Sequence, residues 1–186
     1  MKIAGIDYSL TSPSICVHSL DDEWNLNNSE IHYMMKSEKN CITTKRFKGS
    51  VCPKYESDSE RYDNLSKWIM HIVLDNNVDC CYIEGYSYNS VGRVFQIAEN
   101  TGILKHSLWK HSIDFNVIAP TTIKKFATGK GNSNKVKMYD CFLDETGVDI
   151  FDELSIMNRN QWNPVSDIVD AYFICKMGHE EKRRET

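Results

Sequence analysis

The chain alternates between short apolar runs typical of buried strands and longer stretches in which apolar residues recur at helical spacing. Strands are predicted at residues 2–8, 14–19, 31–35, 78–84 and 115–118. Helices are predicted at residues 57–76, 91–108, about 133–144 and about 164–178, with a further helix begun at residues 119–122 and broken at 129–131. Residues 36–56 and 146–162 carry no pattern that assigns an element, and residues 180–186 are expected to form a charged, frayed tail.

The order of these elements predicts an α/β fold. A hairpin comes first, its two strands joined by the Ser/Thr/Pro-rich turn at residues 9–13, and helices then alternate with strands. This order indicates a mixed sheet, with antiparallel strands first and helices on both faces. At 186 residues the chain is long enough for one sizeable core and short for two, so a single domain over residues 1–186 is expected.

Acidic residues stand at the ends of two apolar runs and at the start of the last predicted helix. Asp7 ends the first run, and Glu84 ends the run that begins at Cys80. Each acid would therefore lie at the carboxyl end of a central strand, where open α/β sheets keep their binding crevices. Asp167 and Asp170 are spaced i, i+3, which puts both side chains on one face of a helix.

Each of these acids also has a purely structural explanation. Asp167 can be a first-turn acid favoured by the helix dipole, with Ser166 as a cap, and Asp7 can be a turn residue before Ser9. These explanations stay open for each acid alone. Three segments in which acids interrupt apolar stretches favour a shared site.

Carboxylates gathered at one site would repel one another. At about 4 Å, two like charges repel by about 1 kcal/mol in water and by about 4 kcal/mol at an effective dielectric of about 20. Such a cluster either keeps some protons as a coupled group or binds divalent cations. Oxygen ligands without His or Cys at ligand spacing favour Mg²⁺ or Mn²⁺ over zinc. We therefore predict a metal site suited to phosphodiester cleavage by water.

The overall charge does not by itself indicate a nucleic-acid-binding protein. The net charge is −4 and the pI is about 5.9. The acids are unevenly spread, however, because residues 121–139 contain no Asp or Glu and carry five lysines: Lys124, Lys125, Lys130, Lys135 and Lys137. This segment is either a solvated surface or a patch that contacts phosphates without reading sequence. Tyr86 and Tyr88 follow Glu84 closely and have either a rim role or a role in stacking on an unpaired base.

Cysteine usage and hydropathy bear on the compartment. The seven cysteines form no CxxC pair, which fits a reduced cytosolic setting. No apolar segment reaches the length of a membrane span, and the N-terminus lacks a signal-peptide pattern. A soluble protein of the cytoplasm is expected.

Taken together, the motifs resemble those of RuvC-type Holliday junction resolvases of the RNase H-like superfamily. The resemblance covers nearly the whole chain, and its motifs occur in the family's order: Gly5-Ile6-Asp7, Ile83-Glu84, Ala119-Pro120-Thr121, Ile123-Lys124-Lys125, Gly129-Lys130-Gly131, Lys135 and Asp167-Ile168-Val169-Asp170-Ala171. It implies an RNase H-like mixed sheet and a homodimer that acts on four-way DNA junctions. Virus-encoded relatives vary in a similar way, so we expect a phage-encoded member acting in the host cytoplasm.

The resemblance also implies roles for individual residues. Asp7, Glu84, Asp167 and Asp170 would be the catalytic acids, holding two Mg²⁺ ions that Mn²⁺ can replace. Lys124 and Lys135 would lie near the cleaved strand, with Lys135 helping to hold the scissile phosphate. Either Tyr86 or Tyr88 would contact the junction centre, and the products would carry 5′-phosphate and 3′-hydroxyl ends.

The chain also departs from the bacterial pattern. The segment between Asp7 and Glu84 is longer, and Tyr8-Ser9-Leu10 replaces the usual Pro-Gly-Ser after the first acid. Two other functions compete with the nuclease. One is a non-catalytic branched-DNA-binding protein of the same fold, and the other is an ATP-binding half-domain suggested only by Gly5-Ile6-Asp7. The chain is short for the two lobes of such an ATPase, so no nucleotide cofactor is expected.

Overall fold

The computed structural model describes residues 1–38, 41–86 and 93–185. These residues form one six-stranded sheet. Its strands are β1 (Lys2–Asp7), β2 (Ser14–Ser19), β3 (Ser29–Met35), β4 (Phe47–Val51), β5 (Cys80–Glu84) and β6 (Asp114–Ile118). Their order across the sheet is β4-β3-β2-β1-β5-β6.

The sheet is mixed, as the sequence predicts. The pairs β1–β2 and β2–β3 are antiparallel, and the pairs β3–β4, β1–β5 and β5–β6 are parallel. Strands β1, β3, β4, β5 and β6 therefore all run in the same direction, and their carboxyl ends meet at one edge of the sheet. Crevices at such an edge are the usual binding sites of α/β proteins.

Helices cover both faces of this sheet. They are α1 (Asp58–Asp75), α2 (Val94–Lys110), α3 (Pro120–Thr128), α4 (Lys135–Thr146), α5 (Ile150–Glu153) and α6 (Val165–Glu185), with a short 3₁₀ helix at Leu26–Asn28. Buried residues of α1 and α2 share one apolar core, and those of α3 to α6 share the other. Successive strand residues point into opposite cores. Ile3 and Tyr82 lie in the core shared with α3 to α6, and Ala4 and Cys81 lie in the core shared with α1 and α2.

Helix α6 lies directly on β1, and Gly5 makes that contact possible. A Cβ atom on Gly5 would stand 2.1 Å from the backbone nitrogen of Cys175 and 2.6 Å from the carbonyl oxygen of Ala171. Only glycine lets the two backbones approach this closely. The position of α6 over the end of β1 is thus set by a residue two positions before Asp7.

The structure corrects several predicted boundaries. Residues 36–56 contain β4, and residues 146–162 contain α5. Helix α6 continues to Glu185 and does not give way to a frayed tail, because Gly178 and His179 are buried and Glu180 pairs with Arg184 at 3.1 Å. The second predicted long helix begins at Val94, and the predicted start at Val91 lies outside the described residues.

None of the helices within residues 1–38, 41–86 and 93–185 combines the length and the apolar character needed to cross a lipid bilayer.

Candidate active site

Two of the candidate acids end neighbouring parallel strands. Asp7 is the last residue of β1 and Glu84 is the last residue of β5, and the two strands pair with Ile6 opposite Ile83. The register therefore places Asp7 and Glu84 side by side at the carboxyl edge of the sheet. Asp7 is buried, with 7% of its surface exposed, and Glu84 is half-buried.

The other two acids come from the first turns of α6. Asp167 is 9% exposed, and Asp170 lies one turn further along the helix. Burial raises the pKa of Asp7 well above its usual value, and the charges of Glu84, Asp167 and Asp170 raise it further. The structure thus brings the four acids predicted from the sequence into one electrostatic environment, here called the carboxylate cluster.

The remaining members of the carboxylate cluster have similarly raised pKa values. Burial is the largest cause for each of Glu84, Asp167 and Asp170, whose pKa values all rise to about 7. Charge repulsion raises these pKa values further. The charge of Asp167 raises the pKa of Glu84, that of Asp170 raises the pKa of Asp167, and that of Glu84 raises the pKa of Asp170. The four acids therefore titrate as a coupled group that keeps its protons to higher pH than separate exposed carboxyl groups would.

Two small polar residues outside the predicted set hold Asp167 in place. The side-chain amide of Asn163 donates to Ser12 Oγ at 2.7 Å, and the Ser12 hydroxyl donates to the Asp167 carboxylate, which lowers its pKa against the effect of burial. Ser12 is itself fixed in the β1–β2 loop, because its backbone N–H donates to Ser9 Oγ at 2.9 Å. The β1–β2 loop is thereby tied to the start of α6.

Two of the predicted lysines act on the carboxylate cluster. The charge of Lys124, on α3, lowers the pKa values of Glu84 and Asp170, and the charge of Lys135, the first residue of α4, lowers that of Asp167. The Lys135 ammonium lies 5.1 Å from the centroid of the Trp162 ring, a cation–π contact that holds its position. Lys125, Lys130 and Lys137 are exposed on the same α3–α4 region, and their contact with DNA stays a prediction.

A cleft of about 400 Å³ opens beside Asp7 and Glu84. Tyr86 and Lys124 line it together with residues of the β1–β2 loop. The Tyr86 hydroxyl accepts a hydrogen bond from Lys105 at 3.4 Å, and the Lys105 ammonium lies 5.1 Å from the Tyr86 ring centroid. Tyr86 thus lies at the cleft, its contact with DNA stays a prediction, and Tyr88 lies outside the described residues.

The carboxylate cluster has the donor chemistry of a divalent-metal site but not a finished coordination shell. Within the described residues, no three or more His, Cys, Asp or Glu side chains are already arranged to hold a metal ion. One oxygen does lack a partner, because Asp167 Oδ2 is buried and accepts no hydrogen bond. Carboxylate oxygens that repel one another, one of them unsatisfied, fit a hard cation such as Mg²⁺.

Comparison with known proteins gives structural relatives only. Neither the models of known protein families nor the sequences of curated proteins match this chain. Several solved structures share its fold at low sequence identity. Thermus thermophilus RuvC in complex with a Holliday junction substrate has a TM-score of 0.62 at 13% identity, covering 96% of this chain and 97% of that one.

Two further structures come from a virus and from yeast. The fowlpox virus resolvase, in complex with substrate Holliday junction DNA, has a TM-score of 0.54 at 14% identity and covers 98% of this chain and 99% of that one. The yeast mitochondrial Holliday junction resolvase has a TM-score of 0.55 at 14% identity, and the match covers 98% of this chain and 81% of that one. The chain therefore has the fold of the Holliday junction resolvases, as the sequence motifs predict.

Proposed function

We propose that this chain is a metal-dependent endonuclease that cuts Holliday junctions and related branched DNA. The observation that carries the proposal is the carboxylate cluster: four acids from three separate segments share one buried site at the carboxyl edge of the sheet. Their crowding costs folding free energy, and a structural role would not require it. The likeness to resolvase structures that contain Holliday junction DNA supports the choice of substrate.

The residues divide the work by their chemistry. Asp7, Glu84, Asp167 and Asp170 would hold two Mg²⁺ ions, which Mn²⁺ could replace. Bound there, the ions would supply an activated water and stabilise the leaving 3′ oxygen, giving 5′-phosphate and 3′-hydroxyl ends. Ser12 orients Asp167, and Lys135, which contacts the Trp162 ring and acts on Asp167, would help to hold the scissile phosphate. Lys124 offsets part of the negative charge of Glu84 and Asp170.

The proposal is tested by incubating the pure protein with end-labelled four-way, three-way, flap and duplex DNA. We expect cleavage of the four-way junction in Mg²⁺ or Mn²⁺, none in EDTA, and ends that DNA ligase can seal. The linear duplex is the matched control and is expected to stay intact. Binding of the junction without cleavage in either metal would identify a non-catalytic binding protein, and equal cutting of the duplex would remove the structure selectivity.

The raised pKa values predict how stability depends on pH and on metal. A carboxyl group whose pKa rises from 3.8 to about 7 on folding, as for Asp170, holds its proton more tightly in the folded chain. Its contribution to stability is present below the unfolded pKa and is lost as the pH rises through about 7. In EDTA, Tm should therefore fall between about pH 5 and about pH 8, and added Mg²⁺ should raise it at the upper end.

Asp170→Asn removes one of these groups and isolates the effect. At about pH 8 in EDTA we expect the variant to exceed the wild type in stability by on the order of 1 kcal/mol, or about 2–4 °C in Tm. Mg²⁺ should stabilise this variant less than the wild type. The exposed Asp144 on α4 gives a matched control, Asp144→Asn, which should follow the wild type. A lower Tm for Asp170→Asn than for the wild type in EDTA would contradict the prediction.

We further propose that the protein acts as a homodimer through the exposed face of α2. Phe95 and Trp109 are large apolar residues that are 81% and 70% exposed. Gly102 lies midway between them and borders open space, since no described atom beyond its own stretch of helix lies within 4 Å of the place that a Cβ atom would take there. At helical spacing these three residues form one stripe, the α2 stripe, which also carries Glu99 and His106.

The α2 stripe is self-complementary about Gly102. If a second copy packs antiparallel with the two glycines in contact, Phe95 of one copy faces Trp109 of the other, since each stands seven residues from Gly102. Glu99 of one copy then lies beside His106 of the other. The apolar positions match under two-fold symmetry, which is the property that an isologous dimer contact requires. Glycine at the centre allows the helices to approach closely.

A further inference from the structure

A second groove lies on the other side of the β1–β2 loop from the carboxylate cluster. Leu10 and Thr11 of this loop line the cleft beside Asp7, and they also line two adjoining hollows of about 290 and 350 Å³. Lys36 and Arg61 line both of these hollows. The two hollows, here called the loop groove, therefore adjoin the active-site cleft across the loop, and Arg93 lines both the cleft and the smaller hollow.

The loop groove belongs to the same edge of the sheet as the active site. Lys36 directly follows β3, Lys54 follows β4, and Arg93 precedes α2. Strands β3 and β4 run in the same direction as β1, so their carboxyl ends lie on the side of Asp7. Part of the groove wall, residues 52–55, is the segment that directly follows β4.

The loop groove is positively charged although the chain as a whole carries −4. Its lining includes four cations, Lys36, Lys54, Arg61 and Arg93, against one carboxylate, that of Asp58. The Asp58 carboxylate lies 3.9 Å from the Arg61 guanidinium, which is a long ion pair, and the Asp58 side chain is largely exposed. Within the described residues, Lys36, Lys54 and Arg93 form no salt bridge. Clustered cations of this kind attract a polyanion.

Arg61 links the loop groove to the active site. Its guanidinium donates a hydrogen bond to the carbonyl oxygen of Leu10 and lies 5.2 Å from the centroid of the Tyr55 ring. Leu10 is in the loop that also carries Ser12, the partner of Asp167. Arg61 is therefore a positioning residue for the loop, and Lys36, Lys54 and Arg93 remain to contact a ligand. Tyr55, 38% exposed, adds an aromatic surface at the far end.

We propose that the loop groove holds the phosphate backbone of a second DNA segment, the arm of the branched substrate that leaves the active-site cleft across the β1–β2 loop. This inference rests on the proposed function, since it assigns the groove to the same substrate. Lys124 and Lys135 flank the carboxylate cluster on the α3–α4 side, and the loop-groove cations lie on the other side. Cations would then contact the DNA backbone on both sides of the cutting site. Linear DNA without an arm would use one side only.

The test measures junction binding in a background that carries Asp7→Asn, with the charges of the loop groove removed by Lys36→Gln and Lys54→Gln together. We expect the affinity for a four-way junction to fall by roughly tenfold, and the slope of log affinity against log salt concentration to decrease by about 1.8, since each lost duplex phosphate contact lowers it by about 0.9. Affinity for a linear duplex should change less.

Two further variants make the result decisive. Lys2→Gln with Lys45→Gln removes the same charge from exposed lysines at the opposite end of β1, and this pair should bind like the Asp7→Asn parent. Lys36→Arg with Lys54→Arg should restore the affinity. If the loop-groove glutamine pair binds the junction as tightly as the Lys2 and Lys45 pair, the inference is wrong.

The binding assay also separates this inference from the proposed nuclease activity. A wild-type protein that cleaves junctions, combined with a glutamine pair that binds them normally, would overturn the loop groove alone. A wild-type protein that never cleaves, combined with weakened binding by the glutamine pair, would overturn the nuclease proposal and support the groove.

Discussion

Replacing Asp7 by asparagine is expected to lower the rate of junction cleavage by at least about a thousandfold, because losing several kcal/mol of metal-assisted stabilisation costs about tenfold per 1.4 kcal/mol. Asparagine keeps the shape of the side chain and removes the charge that the ions would require. The charges of all three other members of the carboxylate cluster raise the pKa of Asp7, which indicates a central position. We therefore expect no neighbouring acid to replace it as a metal ligand.

The same substitution should leave folding and junction binding intact. It removes one of four repelling groups from a buried site, so the variant should unfold at a Tm no lower than that of the wild type in EDTA at neutral pH. Cleavage is measured under single-turnover conditions with a labelled four-way junction, and binding is measured by mobility shift. Asp144→Asn, at an exposed position of α4, is the matched control and should cleave like the wild type. Wild-type cleavage by Asp7→Asn would refute the proposed active site.

Replacing Gly102 by leucine is expected to convert the protein from a dimer to a monomer. The new side chain would occupy the point where the two α2 helices must come closest, and it would hold the α2 stripes of the two copies apart. Light scattering with size exclusion should give the mass of two 21.5-kDa chains for the wild type and of one for the variant. Cutting of the two opposed junction strands should then lose its coordination and yield single nicks.

Within one chain the same substitution is harmless, which makes the result easy to interpret. Among the described residues, a Cβ atom at position 102 meets nothing within 4 Å outside its own stretch of helix, and leucine favours a helix by up to about 1 kcal/mol over glycine. The circular dichroism of the variant should therefore match that of the wild type. Lys67→Leu adds the same side chain to an exposed position of α1 and should remain dimeric. A dimeric Gly102→Leu protein would show that another surface forms the dimer.

Most strands and the long helices could be predicted from the sequence, whereas the edge strand β4, the four-residue helix α5 and the end of α6 could not. Strands β1 and β5 are nearly continuous apolar runs because both faces of the central sheet are covered. Strand β4 lies at the edge, and only Phe47 among its five residues is fully buried, so its pattern is not distinct from that of a loop. The end of α6 has the composition of a solvated tail because its charged residues outnumber the buried Gly178 and His179.

The candidate site divides in the same way. The acids could be found because a charge that interrupts an apolar run is uncommon, and the resemblance selects Lys124 and Lys135 from five lysines. Ser12 and Asn163 could not be found, because small polar residues are ordinary in turns. Their hydrogen bond joins positions 151 residues apart in the chain, and only the folded structure brings them together.

The contact between Gly5 and α6 constrains how this molecule can be altered. Because the helix rests on bare backbone at that point, any added atom there would lift the segment that carries Asp167 and Asp170 away from Asp7. The packing of α6 on β1 and the arrangement of the acids therefore depend on the same backbone contact. Laboratory selection for heat resistance would consequently have to leave this spot untouched and find its gains elsewhere, on surfaces remote from the strand end.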